Sequence, residues 1–438
     1  MSLRGVFSVK PWLLVTALVV SSAPAGRAAP SVFPEFAKLP ANPGLPDPLV
    51  GLDGRKATTP QEWTRRRRPE LKALFQHYMY GTLPAKPSQF SARITGEHLD
   101  FLGGKAILTT LTLTFDADSP QLDLMLVTPR NVPGPVPLFL SLNFCGNHAV
   151  HSDPRIPLGR GWVRSNCPGC PDGHATESAR GRQAQDWPLE TIIDRGYGFA
   201  TIATADIDSD RAEVSDGVYH WQAGLMGVTN PTADRGTIAA WAWGLQRCVD
   251  YLVTDRRVDP HGIAVVGHSR NGKTALLAAA FDERIALAIP CQAGCGGTAP
   301  SRGVVGESVK RINTAFPHWF NARYKEFNDD PSRLPFDQNA LVALMAPRPV
   351  LLSNATEDTW ANPVGQFEVL RGAESVYRLL GAGGCDATSP PPEGELVKSR
   401  LGYFVRPGKH SMNAVDWAAF LDFADVHLRT AKKIGNGK

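Results

Sequence analysis

Residues 263–274 read IAVVGHSRNGKT. Ile263–Gly267 is a short apolar run rich in β-branched residues, and helical spacing begins at about Asn271 and continues to Phe281. The polar cluster between them therefore sits on a turn from strand to helix. Two templates fit that turn. Gly267 to Thr274 satisfies G-x-x-x-x-G-K-[ST], the loop whose backbone cradles phosphates. The same residues nearly satisfy G-x-S-x-G, a sharp turn that lifts a nucleophilic serine, here Ser269, above a sheet. Asn271 stands where the last glycine belongs, and Gly272 follows it.

The rest of the chain separates the two readings. A phosphate loop needs a second acidic strand end to hold magnesium, and no segment offers a convincing one. A serine nucleophile needs an acid and then a histidine further along, each in a loop after a strand. Asp358 follows the apolar run Val350–Asn354, and His410 lies downstream in RPGKHSM. Glu357 competes with Asp358, and His427, late in a helical stretch, competes with His410. The preferred reading makes Ser269 the nucleophile, His410 its base and Asp358 the group that orients the histidine.

Outward from the turn, apolar runs at Pro137–Phe144 (PLFLSLNF), Gly196–Thr204, Ile285–Ile289 and Val350–Asn354 read as buried strands. Helical patterns cover Gly236–Val253, Gly365–Leu380 and Ala414–His427. Strands alternating with helices predict a mostly parallel sheet of the α/β class. Residues 105–128 alternate apolar and polar residues and predict antiparallel strands ahead of it. Residues 60–80 read as a helix ended by Gly81, with Arg65–Arg68 as a solvated face interrupted by Pro69. Residues 30–60, rich in proline and glycine, read as an extended arm on the body. Residues 151–190 and 383–395 read as loop insertions.

The first residues carry a different signal. Arg4 and Lys10 precede the apolar run Trp12–Val20, and small residues follow in SSAPAGRAA. That order is a secretory leader with cleavage after Ala25 or Ala28, and the run is too short to span a bilayer comfortably. The expected organisation is a leader over 1–28 and one catalytic domain over 29–438, secreted or periplasmic, with no membrane attachment after cleavage. Losing Arg4, Lys10 and Arg27 lowers the formal net charge from +4 to +1. A nearly neutral chain does not predict a nucleic-acid partner.

Of the 438 residues, 43% are hydrophobic and 20% charged, the balance of a globular core rather than a disordered or fibrous chain. The seven cysteines are an odd number, so at least one is free. Cys167 and Cys170 have C-x-x-C spacing without a matching second pair for zinc. They read as a local disulfide or as loop thiols, and no metal or cofactor is expected.

Taken together, GHSRNGK with Ser269, Arg270 and Lys273 resembles the elbow of the glucuronoyl esterases, carbohydrate esterase family 15. LPDPLV at 45–50, LNFCGNH at 142–148, GYGFATIATADID at 196–208 and FPHWF at 316–320 are similar to bacterial members. So are APRPVLL at 346–352, EDTWANP at 357–363 and GKHSM at 408–412. The resemblance implies an α/β-hydrolase fold. It also implies hydrolysis of esters between (4-O-methyl-)glucuronic acid and an alcohol, as in lignin–carbohydrate links of glucuronoxylan. By it, Ser269 matches the nucleophile, His410 the base and Arg270 an oxyanion stabiliser. Lys273, Trp360 and Glu307 match sugar-binding residues. The implied partners are uronate esters from glucuronoxylan or lignin–carbohydrate fragments, and the chain is expected to be a monomer.

One segment departs from that pattern. Many members carry the triad acid in a stretch like PQESGAGG, where this chain has PCQAGCGG at 290–297, with Gln292 at the glutamate position. Glutamine supplies no negative charge, which strengthens Asp358 as the acid and leaves Gln292 as a hydrogen-bonding residue grouped with the substrate contacts. The alternatives are an acetyl-xylan or general carboxylesterase on the same fold, or a non-catalytic carbohydrate-binding protein.

Overall fold

The computed structural model describes residues 33–212, 216–225 and 235–429. The proposed leader and its cleavage site lie outside the described residues. Among these residues a nine-stranded sheet runs in the order β1-β2-β3-β5-β4-β6-β7-β8-β9. The strands are β1 Ser91–Phe101, β2 Ala106–Thr114, β3 Leu122–Pro129, β4 Val136–Asn143 and β5 Gly198–Ala203. β6 Val258–His268, β7 Leu287–Cys291, β8 Val350–Ala355 and β9 Leu401–Arg406 complete it. β1, β2 and β3 pair antiparallel, and β3 pairs antiparallel with β5. From β5 through β4 to β9 every pairing is parallel. The predicted mixture of an antiparallel entry and a parallel body is what forms, and the fold is an α/β-hydrolase.

Parallel strands need helical crossovers that cover both faces. Thr237–Leu252 and Arg270–Phe281 pack against each other and cover β6, while Ala414–Ala424 contacts β8 and β9. Trp417 is the centre of the packing on that last helix. It is fully buried, meets Phe139, Trp187, Phe199 and Phe420, and donates its indole N–H to Asp186 O at 2.8 Å. Gly365–Leu380 forms two helices, Pro363–Gly372 and Glu374–Leu379, rather than one. β1 and β9 escape the sequence reading. β1 is an exposed edge strand with little apolar alternation, and β9 is six residues between a proline-rich loop and Pro407.

Arg65–Arg68 is not the solvated face its charge predicts. Residues 60–80 are helical almost throughout, with a wider five-residue turn at Trp63–Arg67 just before Pro69, which has no N–H to give. Arg67 is 1% exposed, donates to Pro48 O at 2.9 Å and pairs with Glu70 at 2.9 Å. Arg66 faces Asp53 at 3.6 Å, and Arg68 meets Glu283 at 2.7 Å. Three of the four arginines thus fasten the arm and this helix to the body.

The C-x-x-C pair does not close on itself. Cys167 bonds Cys145, 22 residues away, and Cys170 is a buried free thiol in the same small apolar cluster with Val163 and Ala179. The bond ties the segment leaving β4 to the insertion at 151–190. Closing a loop of that size restricts the unfolded chain, so replacing both cysteines by serine is expected to lower unfolding stability by about 2–4 kcal/mol. Urea melts of the oxidised protein and the double variant measure this, and coincident midpoints would remove the bond from the stability account.

Candidate active site

Ser269 ends β6 with φ 59° and ψ −125°, a strained conformation for a residue with a side chain. The turn is possible because strand and helix pass almost in contact. A Cβ on Gly267 would lie 2.1 Å from Asn271 O, and one on Gly272 would lie 2.9 Å from Gly267 O. Gly272 therefore fills the role of the last motif glycine. Asn271 is free to turn inward, where it is 1% exposed and donates to Leu142 O at 3.1 Å. The phosphate-loop template finds no support here. The Thr274 hydroxyl bonds Arg270 O at 2.9 Å, and the Lys273 ammonium donates to Ala293 O. The hydroxyl that such a loop aims at magnesium is thus turned back onto its own helix.

His410 lies in the loop after β9 and Asp358 in the loop after β8. His410 Nδ1 and Asp358 Oδ2 are 2.6 Å apart, a short charge-assisted contact. Asp358 is 3% exposed and His410 41%. The other oxygen, Asp358 Oδ1, accepts from Ala361 N at 3.3 Å and caps the turn Thr359–Ala361. Of the competitors, Glu357 is exposed, unlike the buried Asp358, and the His427 ring bonds Lys398 O at 3.0 Å. His268 packs its ring 4.5 Å from that of His410. Loss of solvent, then the repulsion of His410, pushes its pKa down to about 3, so it stays neutral beside His410.

Ser269, Arg270, His268 and His410 line one cavity with Phe144, Trp162 and the Cys145–Cys167 pair. Arg270 enters it from the first turn of the helix Arg270–Phe281. Its guanidinium is 5.1 Å from the Phe144 ring and 5.2 Å from the Trp319 ring, and Nη1 donates to Asp210 at 2.7 Å. Its Nε–H is buried with no acceptor among the described residues. Arg270 is thus an ion-pair partner and a cavity wall at once.

Asp210 is the residue that sequence reading missed. It accepts from Arg164 at 2.6 Å, from His318 at 2.8 Å and from the Trp319 indole at 2.8 Å, besides Arg270. Burial opposes its charge, yet the hydrogen bonds from His318 and Arg164, the Arg270 charge and Trp319 hold its carboxyl far below the usual range. Asp210 sits in TADIDSD beyond β5, where three acids alternate and nothing local marks one of them. The only available sign was position, since ligands collect at the carboxyl ends of parallel strands.

The three sugar-binding candidates come together beside this centre. Glu307 N donates to Trp360 O at 3.0 Å. Trp360 remains 50% exposed, with the Arg311 guanidinium 5.8 Å from its ring. Burial raises the Glu307 carboxyl, and the Lys273 charge opposes that shift. Burial lowers the Lys273 ammonium, and Glu307 opposes that in turn. Lys273 is 4% exposed, with its stem wrapped by residues 293–297. Gln292 corrects its grouping with the substrate contacts. It is 1% exposed, and both amide atoms bond the backbone of Ser411.

A strained serine after β6, an acid after β8 and a histidine after β9 have the order of a serine-hydrolase site on an α/β-hydrolase sheet. The glucuronyl esterase model built on fungal sequences matches residues 184–381. A carbohydrate esterase from an unknown prokaryotic organism is 46% identical over 88% of this chain and 89% of its own. The solved glucuronoyl esterase of Solibacter usitatus is 37% identical with a TM-score of 0.81, over 89% of this chain and 99% of its own. A 4-O-methyl-glucuronoyl methylesterase of Schizophyllum commune is 26% identical over 78% of this chain and 75% of its own. The chain belongs to carbohydrate esterase family 15, the glucuronoyl esterases.

Arg270 carries a testable share of the chemistry. Removing one preorganised donor from an oxyanion site lowers kcat by about 10²–10³-fold. Arg270→Gln is expected to fall in that range with KM little changed. A loss confined to thermal stability would return Arg270 to a structural role.

Proposed function

We propose that the protein cleaves esters of 4-O-methyl-glucuronic acid through an acyl-enzyme on Ser269, as in the bonds joining glucuronoxylan to lignin alcohols. His410 takes the Ser269 proton as Oγ attacks the ester carbonyl, and Asp358 stabilises the imidazolium that forms. Arg270 and the first N–H groups of its helix meet the oxyanion. Collapse expels the alcohol, protonated by His410, and a water activated by the same histidine then releases the uronic acid. The observation that carries the uronate reading is the Lys273–Glu307–Trp360 group. It is electrostatically coupled to the catalytic pair, since Glu307 feels His410 and Lys273 feels Asp358. An ammonium, a carboxylate and a half-exposed indole suit hydroxyl groups and a pyranose face, which a simple acetyl ester does not offer.

One catalytic domain over 29–438, exported after loss of the leader, completes the proposal. It is supported by the leader-like start and by the Cys145–Cys167 bond, since disulfides persist in oxidising compartments. No helix among the described residues is long and apolar enough to cross a membrane.

The test is hydrolysis of benzyl glucuronate beside p-nitrophenyl acetate. The glucuronate ester is expected to turn over far faster, with a kcat/KM gap that collapses in Lys273→Met and Glu307→Gln. Preference for acetate would keep the nucleophile and discard the uronate.

A further inference from the structure

We infer that Gln292 is a positioning residue for the hydrolysis: its carboxamide holds the histidine loop in register, a task that needs one donor and one acceptor. The inference rests on His410 being the base.

Gln292 follows β7 directly, with φ 49°, and its backbone N–H donates to Ser353 O of β8 at 2.7 Å. The side chain then crosses to the residue next to His410. Nε2 donates to Ser411 O at 2.7 Å, and Oε1 accepts from Ser411 N at 2.9 Å. The same carbonyl accepts from Arg406 Nη2 at 2.6 Å. Arg406 is anchored by Asp416 at 2.7 Å, in a pair 3% and 0% exposed. Asp416 is itself tied to Ser353 at 3.1 Å and to Asn413 N at 3.0 Å. Ser411 is thus gripped from two sides, and the adjoining His410 needs only Asp358 to fix its ring.

The pattern explains why an amide stands here in a chain whose acid is Asp358. A carboxylate could accept from Ser411 N but would face Ser411 O with like charge. Around this position stand His268, His410, Arg406, Asp358 and Asp416. His268 stays neutral, its pKa lowered by burial and by the His410 charge. An ionised carboxyl at 292 therefore breaks one bond of the clamp, the one donated to Ser411 O. Once protonated it regains a donor beside an acceptor. The sign follows: activity of Gln292→Glu relative to wild type rises as pH falls and the introduced carboxyl takes up its proton.

The experiment measures kcat and KM for benzyl glucuronate against pH in wild type, Gln292→Met and Gln292→Glu, with Tm recorded for each. Methionine keeps the length and removes both hydrogen-bonding atoms. A misplaced catalytic group lowers kcat by about 10–10²-fold, which is the loss expected of Gln292→Met with KM little changed. Gln292→Glu is expected to show a similar loss near about pH 8, and its ratio to wild type is expected to climb towards about pH 5. Wild-type kcat in either variant across that range would overturn the inference. So would a ratio independent of pH in the glutamate variant, or a rise in KM alone, which would put Gln292 on the substrate. If the methionine variant melts below the assay temperature, the glutamate ratio decides. Ser269→Ala and His410→Ala run alongside: activity retained there sinks the catalytic reading, whereas activity retained only in the Gln292 variants sinks the clamp.

Discussion

Ser269→Ala is expected to lower kcat on benzyl glucuronate by about 10⁵–10⁶-fold, since it removes the hydroxyl proposed to take the acyl group. The variant should fold. Alanine removes only Oγ, and the elbow is held by backbone contacts: Ser269 N to Cys291 O at 2.9 Å, and Gly272 N to Ser269 O at 2.9 Å. Its φ of 59° remains strained for alanine as for serine, so Tm should move little. Substrate binding should survive as well, because Lys273, Glu307 and Trp360 are untouched. Calorimetric binding of glucuronate to the variant, with turnover absent, is the expected combination. Turnover within a factor of ten of wild type would move the nucleophile elsewhere and undo the acyl-enzyme.

Asp358→Asn is the second large effect, about 10³–10⁴-fold in kcat. Asparagine keeps an oxygen for Ala361 N, so the turn that presents Trp360 should hold and KM should stay near wild type. What it loses is the charge opposite His410 Nδ1, and with it the stabilisation of the imidazolium. Asp358→Ala gives the contrast. Removing the cap as well should loosen Thr359–Ala361 and raise KM in addition to lowering kcat. Equal kinetic profiles for the two variants would mean that Asp358 acts only through the turn. Near-normal turnover in Asp358→Asn would take it out of the triad.

These residues were legible because each carries a local mark. Ser269 sits in a strand–turn–helix motif, Asp358 follows an apolar run, and His410 comes after it in the order a serine nucleophile requires. The parallel body was legible for the same reason, since the strands are short apolar blocks between helical spacings. The rest depends on partners far apart in the chain. Asp210 gathers Arg164, Arg270, His318 and Trp319 from three segments. Gln292 meets Ser411 across 119 positions, and Cys167 passes over its neighbour Cys170 to reach Cys145. No periodicity encodes such contacts. Arg67 misled for the converse reason: a run of like charges looks solvated until the acceptors that close over it are known.

That arginine has a bearing on how short the chain can be made. The segment reading as an arm supplies the carbonyl of Pro48 to the buried Arg67, and the carbonyls of Leu39 and Asn42 to Arg333 and Arg302. Trimming past Leu39 would strand those guanidinium groups one after another, the Arg67 head without solvent to replace the lost acceptor. The working edge of the enzyme therefore lies well ahead of its first strand. Tags and fusion partners belong upstream of Leu39, and the stretch from there to the first helix is to be kept as part of the catalytic body.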